Sequence, residues 1–151
     1  MRNDGDLAGM AEALGLAREA ASIGEVPVGA VVFREGAVVA RAHNATVQRR
    51  DPTAHAELLA LQQALRSLGT DRLTDCTLYV TLEPCAQCAG AIVLAKVGRV
   101  VFGAYDPKAG MARSVGDLLR HGSLNHVAEV IGGVQEEECG ALLREFFRER
   151  R

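Results

Sequence analysis

A chain of 151 residues that is 48% hydrophobic and 24% charged can bury one sizeable core, so we expect residues 1–151 to form a single domain. No apolar run reaches the length of a membrane span, and the N-terminus lacks the pattern of a secretory signal, which predicts a cytoplasmic protein without a membrane partner. The net charge of −2 gives no overall attraction for nucleic acid, so an RNA partner would need a local basic patch.

The first predicted elements are an amphipathic helix and a β-hairpin. Apolar residues recur at helical spacing over residues 7–23, and Gly24 follows where a helix stop belongs. Two β-rich runs, residues 28–34 and 37–42, flank a Glu-Gly pair that suits a tight turn. Strands joined by so short a turn are expected to be antiparallel.

The segment "DPTAHAELLALQQALRSLG" predicts the second helix. Asp51 or Thr53 can cap its start, a proline suits its first turn, and Gly69 can end it. His55 and Glu57 are therefore expected close to the N-terminus of this helix.

The remainder of the chain predicts a mixed sheet between helices. A strand at residues 76–82, a helix at 85–95 and a strand at 99–105 form a βαβ unit, which makes the two strands parallel. A short helix, an edge or final strand and a terminal helix are predicted at residues 116–121, 126–131 and 136–150. Together with the antiparallel hairpin, this alternation predicts an α/β fold, a three-layer α/β/α sandwich around a mixed five-stranded sheet.

Cysteine usage indicates chemistry rather than cross-linking. The four cysteines, at positions 76, 85, 88 and 139, are too few and too unevenly spaced for a disulfide scaffold. Cys85 and Cys88 of "EPCAQC" lie at i and i+3 in the first turn of a predicted helix, where both thiolates can point the same way and are favoured by the helix N-terminus. This pair alone leaves three interpretations open: a redox dithiol, half of a structural zinc site, or part of a catalytic metal site.

The motif "HAE" favours the catalytic interpretation. His55 would complete a His/Cys/Cys set, and three protein ligands leave the open position that catalytic zinc needs. A structural zinc would need a fourth ligand, such as Cys76, His43 or Cys139. Residues two apart on a helix diverge by about 200°, so His55 and Glu57 can converge only if the helix points its N-terminus at the metal. We therefore expect two helix N-termini to meet at one zinc site.

Six motifs occur along the chain in a familiar order: "GEVPVGAVV", "DPTAHAE", "TLYVTLEPCAQCAGAIV", "RVVFGA", "SLNH" and "ECGALLREFF". With them the sequence resembles the zinc-dependent cytidine deaminase-like superfamily, whose signature is H-x-E…P-C-x-x-C, and closely resembles its bacterial tRNA-specific adenosine deaminases. The resemblance implies a cytidine deaminase-like fold, a homodimer and one Zn²⁺ per subunit. It also implies hydrolytic deamination of adenosine to inosine at the wobble position of a tRNA anticodon stem-loop.

The resemblance assigns roles to individual residues of the site. It implies that His55, Cys85 and Cys88 bind zinc. Glu57 would move protons, first to the ring nitrogen of the base and later to the departing amine. Asn44, directly after the second predicted strand, resembles the substrate-contacting asparagine of the family.

Further substrate contacts are implied around this centre. Val28 and Pro84 resemble pocket-wall positions, and Asp106 resembles the acidic residue that meets the anticodon backbone or sugar, although its neighbours depart from the family pattern. Near the C-terminus, an exposed aromatic ring beside a basic helix end suits single-stranded RNA, where bases stack and phosphates pair. Phe147 and Arg148 are the candidates for these contacts.

Other functions remain open at the level of sequence. The same metal chemistry would serve a deaminase of a free nucleobase or nucleoside, of the guanine or cytosine type. An RNA-binding protein with a structural zinc would keep the ligands but have no use for Glu57, and a redox role would require a disulfide between Cys85 and Cys88. If the protein is a homodimer, the helix in "CAQCAGAIVLAKVG" is expected to contribute to the interface.

Overall fold

The computed structural model describes residues 1–150, which form four α-helices and five β-strands. In chain order the elements are α1 (Asp6–Ser22), β1 (Gly29–Arg34), β2 (Ala37–His43), α2 (Ala56–Leu68), β3 (Cys76–Leu82), α3 (Ala86–Leu94), β4 (Arg99–Ala104), β5 (Glu129–Ile131) and α4 (Glu136–Glu149). Among these residues, no helix combines the length and the apolarity needed to cross a membrane.

The strands of residues 1–150 form one sheet in the order β2-β1-β3-β4-β5. Strand β1 is antiparallel to both β2 and β3, whereas β3, β4 and β5 run parallel. The mixed five-stranded sheet expected from the sequence is therefore confirmed. At the turn between β1 and β2, Glu35 and Gly36 have φ of 51° and 78°, the left-handed conformation that a two-residue hairpin turn of this kind requires.

Alternating side chains of the strands form two hydrophobic layers, one on each face of the sheet. Val31 of β1 and Val101 of β4 pack with α1 and the start of α4, where Met10 and Cys139 are buried. The neighbouring strand residues face the other way and pack with α2 and α3 in a larger cluster. Because both faces are covered by helices, the fold is the three-layer α/β/α sandwich that the sequence predicts.

The start of the second helix differs from the prediction. Helix α2 begins at Ala56, its N-cap is His55, and neither Asp51 nor Thr53 caps it. The Asp51 carboxylate instead accepts hydrogen bonds from the backbone N–H and the hydroxyl of Thr53, which stabilises a local turn before the helix. The predicted end is confirmed, because Gly69 adopts the left-handed conformation that stops a helix.

The short helix predicted at residues 116–121 is wrong. The segment forms turns and an isolated antiparallel bridge between Ala112 and Asp117. The Asp117 carboxylate accepts hydrogen bonds from the backbone N–H and the guanidinium of Arg120, while that guanidinium also donates to the carbonyl of Ala112. These side-chain bonds stabilise a turn in place of a helix, a competition typical of aspartate.

Candidate active site

Two helix N-termini converge beside the C-terminal end of β3. Strand β3 ends at Leu82, and three residues later Cys85 becomes the N-cap of α3. His55 is the N-cap of α2, and the backbone carbonyls of both caps accept the first hydrogen bond of their helices. Gln87 of α3 ties the two starts together by donating to the carbonyl of Thr53 at 3.0 Å. This is the arrangement expected from the spacing of the "HAE" and "PCAQC" motifs.

The convergence places one nitrogen and two sulfur atoms around a common point. Nδ1 of His55 lies 3.5 Å from Sγ of Cys85 and 3.5 Å from Sγ of Cys88, and the three ligand atoms all lie within 4.8 Å of one another. Bond lengths of about 2.3 Å to sulfur and about 2.0–2.1 Å to nitrogen put the two atoms about 3.6 Å apart across a tetrahedral zinc. The observed separations and the donor types therefore fit a metal ion of this kind.

The coupled ionisation of Cys85 and Cys88 also favours a cation between them. A hydrogen bond from Cys88, followed by one with His55, lowers the pKa of Cys85 to about 3. The same proximity to Cys85, together with burial, raises the pKa of Cys88. One thiolate therefore suppresses the ionisation of the other, and a divalent cation would relieve that repulsion and let both ionise.

Glu57 lies in the first turn of α2, beside the three potential ligands and outside their group. Its side chain is buried, and burial raises its pKa to about 7. A carboxyl group that both binds and releases a proton near neutral pH is suited to general acid and base catalysis.

Glu57, His55 and Cys85 line a cavity of about 240 Å³. Its wall includes Val28, Asn44 and Asp106, three of the residues assigned to substrate contact from the sequence. Pro84 is buried and is not among the lining residues; its backbone carbonyl accepts a hydrogen bond from the N–H of Met111 at 2.8 Å. The structure thus brings Val28, Asn44 and Asp106 to one cavity, whereas Pro84, the other predicted wall residue, is not part of its lining.

A larger open groove of about 780 Å³ adjoins this cavity and shares Asp106, Val26 and Leu82 with it. Phe147 and Arg148 line the groove, and Phe147 is about half exposed. Phe147 and Arg148, the candidates for base stacking and phosphate contact, therefore lie next to the cavity and are not among its lining residues.

Sequence reasoning missed two buried carboxylates that hold the loops around the cavity. Glu83 accepts hydrogen bonds from the hydroxyl of Ser114 and from four backbone N–H groups, those of residues 106, 112, 113 and 114. Burial would raise the pKa of Glu83, but these hydrogen bonds outweigh it and the pKa lies below its ordinary value. Glu25 holds the opposite loop in a similar way. The one sequence signal that could have indicated these roles is the position of each glutamate next to an apolar strand, where a carboxylate is expected to be buried and hydrogen-bonded.

The three-layer fold with this His/Cys/Cys group and buried glutamate defines a deaminase of the cytidine deaminase-like superfamily. A family model described as MafB19-like deaminase matches residues 5–151. A tRNA-specific adenosine deaminase of Bacillus subtilis (strain 168) is 52% identical over 142 residues, which cover 94% of this chain and 88% of that protein. The chain therefore belongs to the tRNA-specific adenosine deaminases, within the MafB19-like deaminases.

Solved structures agree with this assignment. A tRNA:A34 deaminase that performs A-to-I editing at the wobble position of transfer RNA aligns with a TM-score of 0.86 and 41% identity, over 90% of this chain and 99% of that one. A guanine deaminase from Nitrosomonas europaea aligns with a TM-score of 0.81 and 29% identity, over 93% of this chain and 83% of that one. The fold is thus common to enzymes that act on RNA and on a free base.

Proposed function

We propose that this chain, acting as one deaminase domain, hydrolyses adenosine to inosine and ammonia at the wobble position of a tRNA anticodon. One observation carries the proposal beyond family membership. Glu57 is buried in the same cavity as His55 and Cys85, with a pKa raised to about 7. A proton carrier beside a metal-binding group is what hydrolytic deamination requires.

We propose Zn²⁺ as the metal, held by His55, Cys85 and Cys88. The support is the donor set, two sulfurs and one imidazole nitrogen, and the 3.5 Å separations between them. When bound, zinc would act as a Lewis acid that makes water nucleophilic near neutral pH.

Glu57 would carry the protons of the reaction. Its carboxylate takes a proton from the attacking water and passes it to the ring nitrogen next to the carbon that carries the amine. It then moves the remaining hydroxyl proton to the amine, which leaves as ammonia while the new C=O bond of inosine forms. Glu57 ends in its starting protonation state, so each turnover consumes one adenosine and one water molecule and produces one inosine and one ammonia.

The cavity and groove suit a base presented by a single strand. A cavity of about 240 Å³ lies below the usual range of about 300–1,000 Å³ for ligand pockets, which favours one base over a larger group. An anticodon loop offers an unstacked base without melting a duplex. The adjoining groove, with Phe147 and Arg148, offers an aromatic surface and a positive charge for the neighbouring nucleotides.

We also propose that the protein is a homodimer in which α3 contributes to the interface. The support is Leu94 at the end of α3, an apolar side chain that is 81% exposed in the single chain. Burial of this side chain against a partner would remove its apolar surface from water.

Deamination of a free base is the alternative, and the likeness to the Nitrosomonas europaea guanine deaminase favours it over other classes. The test is a substrate panel: an anticodon stem-loop with a wobble adenosine, free adenosine and free guanine, analysed for deaminated product by nucleoside chromatography. We expect inosine in the RNA alone. Turnover of guanine with unmodified RNA would overturn the substrate assignment and retain the site.

A further inference from the structure

Glu25 is a fully buried carboxylate that lies outside the metal-binding group and is not among the residues lining the cavity. It follows α1 and precedes β1 in the chain. Its oxygens accept three N–H groups: Nδ2 of Asn44 at 3.3 Å, the backbone N–H of Val47 at 3.1 Å and that of Gln48 at 2.7 Å. All three donors belong to the segment that follows β2, so one side chain anchors the start of the loop between β2 and α2.

The contact with Glu25 determines which way the amide of Asn44 faces. A carboxylate that accepts two backbone N–H groups needs a donor from Asn44, so the nitrogen of the amide must face it. The second hydrogen of that nitrogen is directed at the hydroxyl oxygen of Thr46, 3.2 Å away. Both amide hydrogens are therefore occupied by the protein.

The remaining atom of the amide is Oδ1. Within residues 1–150 no protein donor reaches it, and no buried side-chain oxygen or nitrogen there lacks a partner. Oδ1 must therefore keep an exposed surface, and Asn44 lines the candidate active-site cavity. The cavity thus presents a hydrogen-bond acceptor at this position.

We propose that Glu25 is a positioning residue that orients Asn44 so that its carbonyl oxygen receives a hydrogen bond from the substrate. The inference rests on the proposed function, because it takes Asn44 as a substrate contact. The group that meets Asn44 is a donor, and an adenosine within RNA carries two: the amino group of the base and the 2′-hydroxyl of the ribose. Glu25 acts through Asn44 and touches no reacting atom.

A double-mutant cycle tests this coupling. The variants Glu25→Gln, Asn44→Ala and their combination are compared by kcat and KM on the anticodon stem-loop. Glu25→Gln offers an amide in place of the carboxylate acceptor, so we expect each single variant to lose about 2- to 10-fold in kcat/KM, the range for a hydrogen bond between the neutral Asn44 amide and a neutral donor of the substrate. The double variant should be no worse than the poorer single variant, whereas losses that multiply would overturn the proposal.

Two further variants separate orientation from folding. Thr46→Val removes the other acceptor of the Asn44 amide without changing a buried charge, and its smaller loss should likewise vanish in the Asn44→Ala background. If Glu25→Gln does not fold, this second cycle decides, and equal losses on both backgrounds would overturn the proposal. Asp6→Asn is the matched control, a buried carboxylate at the opposite end of the sheet, which should lower Tm and leave kcat/KM unchanged.

A comparison of substrates identifies the donor and distinguishes a failure of the proposed function from a failure of the role of Glu25. If the 2′-hydroxyl is the donor, kcat/KM on a stem-loop with 2′-deoxyadenosine at the wobble position should be unchanged by Asn44→Ala. Retained sensitivity assigns the amino group. If the intact protein deaminates a free base and no RNA, the proposed function fails, and the same cycle is run on that base, where additive losses would still overturn the role of Glu25.

Discussion

Glu57 and Cys88 illustrate how burial prepares single residues for different tasks. Burial raises the pKa of Glu57 to about 7, which suits a group that must hold and release protons at neutral pH. The hydrogen bond with Cys85, together with burial, raises the pKa of Cys88, which leaves its thiol protonated until a cation compensates the negative charge. Burial thus favours proton transfer at Glu57, whereas at Cys88 the neighbouring Cys85 adds to burial and makes ionisation of the thiol depend on a metal.

Exchange of Cys88 for alanine tests the metal-binding group. Cys88→Ala removes one of two thiolates, so we expect purified protein to lose bound zinc and inosine formation together, because two remaining ligands hold zinc weakly. Elemental analysis measures zinc per chain. Cys139→Ala is the matched control, since Cys139 is equally buried but packs under α4 against β4, and this variant should retain both zinc and activity.

At the scale of elements, α1 is joined to the sheet by a buried ionic contact. The Asp6 carboxylate accepts hydrogen bonds from the guanidinium of Arg99, at 2.6 and 2.7 Å, and from the hydroxyl of Tyr79 at 2.9 Å. Burial would raise the pKa of Asp6, but the bonds to Arg99 and the other donors lower it below its ordinary value. This contact ties the first turn of α1 to β3 and β4.

Asp6→Asn is therefore expected to destabilise the fold by about 3 kcal/mol at pH 7, as for one partner removed from a buried pair. Because the folded pKa of Asp6 is depressed, its contribution is present above the unfolded value of about 3.9 and is lost as pH falls through the folded value. The gap in the free energy of unfolding between wild type and variant should thus narrow below about pH 4.

Urea unfolding at pH 7 and at pH 3 measures that gap. Asp75→Asn serves as control, since Asp75 pairs with Arg34 on the exposed surface, and it should change stability little at either pH. A gap of equal size at both pH values would contradict the linkage assigned to Asp6.

Local sequence signals predicted the regular elements well and the loops poorly. Strand β3 has the predicted bounds, and α3 and β4 agree to within one residue at each end, because periodicity and glycine positions are local. The helix predicted at residues 116–121 failed because the side chains of Asp117 and Arg120 bond within a turn. Periodicity of apolar residues does not report such bonds.

In the candidate site, too, local sequence signals predicted some features and missed others. The meeting of His55 with Cys85 and Cys88 followed from motif spacing and from the geometry of helix starts. The anchoring roles of Glu25 and Glu83 did not, because their partners lie about 20 to 30 positions away in the chain. Such bonds depend on how the elements pack, and a single sequence does not contain that information in local form.

At the scale of the whole molecule, the proposed homodimer leads to a prediction about Leu94. Sedimentation velocity at micromolar concentration should show a dimer, and Leu94→Glu should shift the population towards monomer, because a charge would be buried in the interface. Leu7→Glu is the control, since Leu7 is also exposed but lies on α1. A wild-type protein that sediments only as monomer would refute the proposed dimer.

The central claim is that Glu57 carries protons in a zinc-dependent deamination of RNA. The most direct measurement compares wild type with Glu57→Gln for inosine formed in an anticodon stem-loop under single turnover, with zinc content measured on the same samples. We predict that Glu57→Gln lowers the rate by about 10²- to 10⁴-fold while zinc per chain stays the same, because Glu57 is not a ligand. A variant that forms inosine at the wild-type rate would contradict the account.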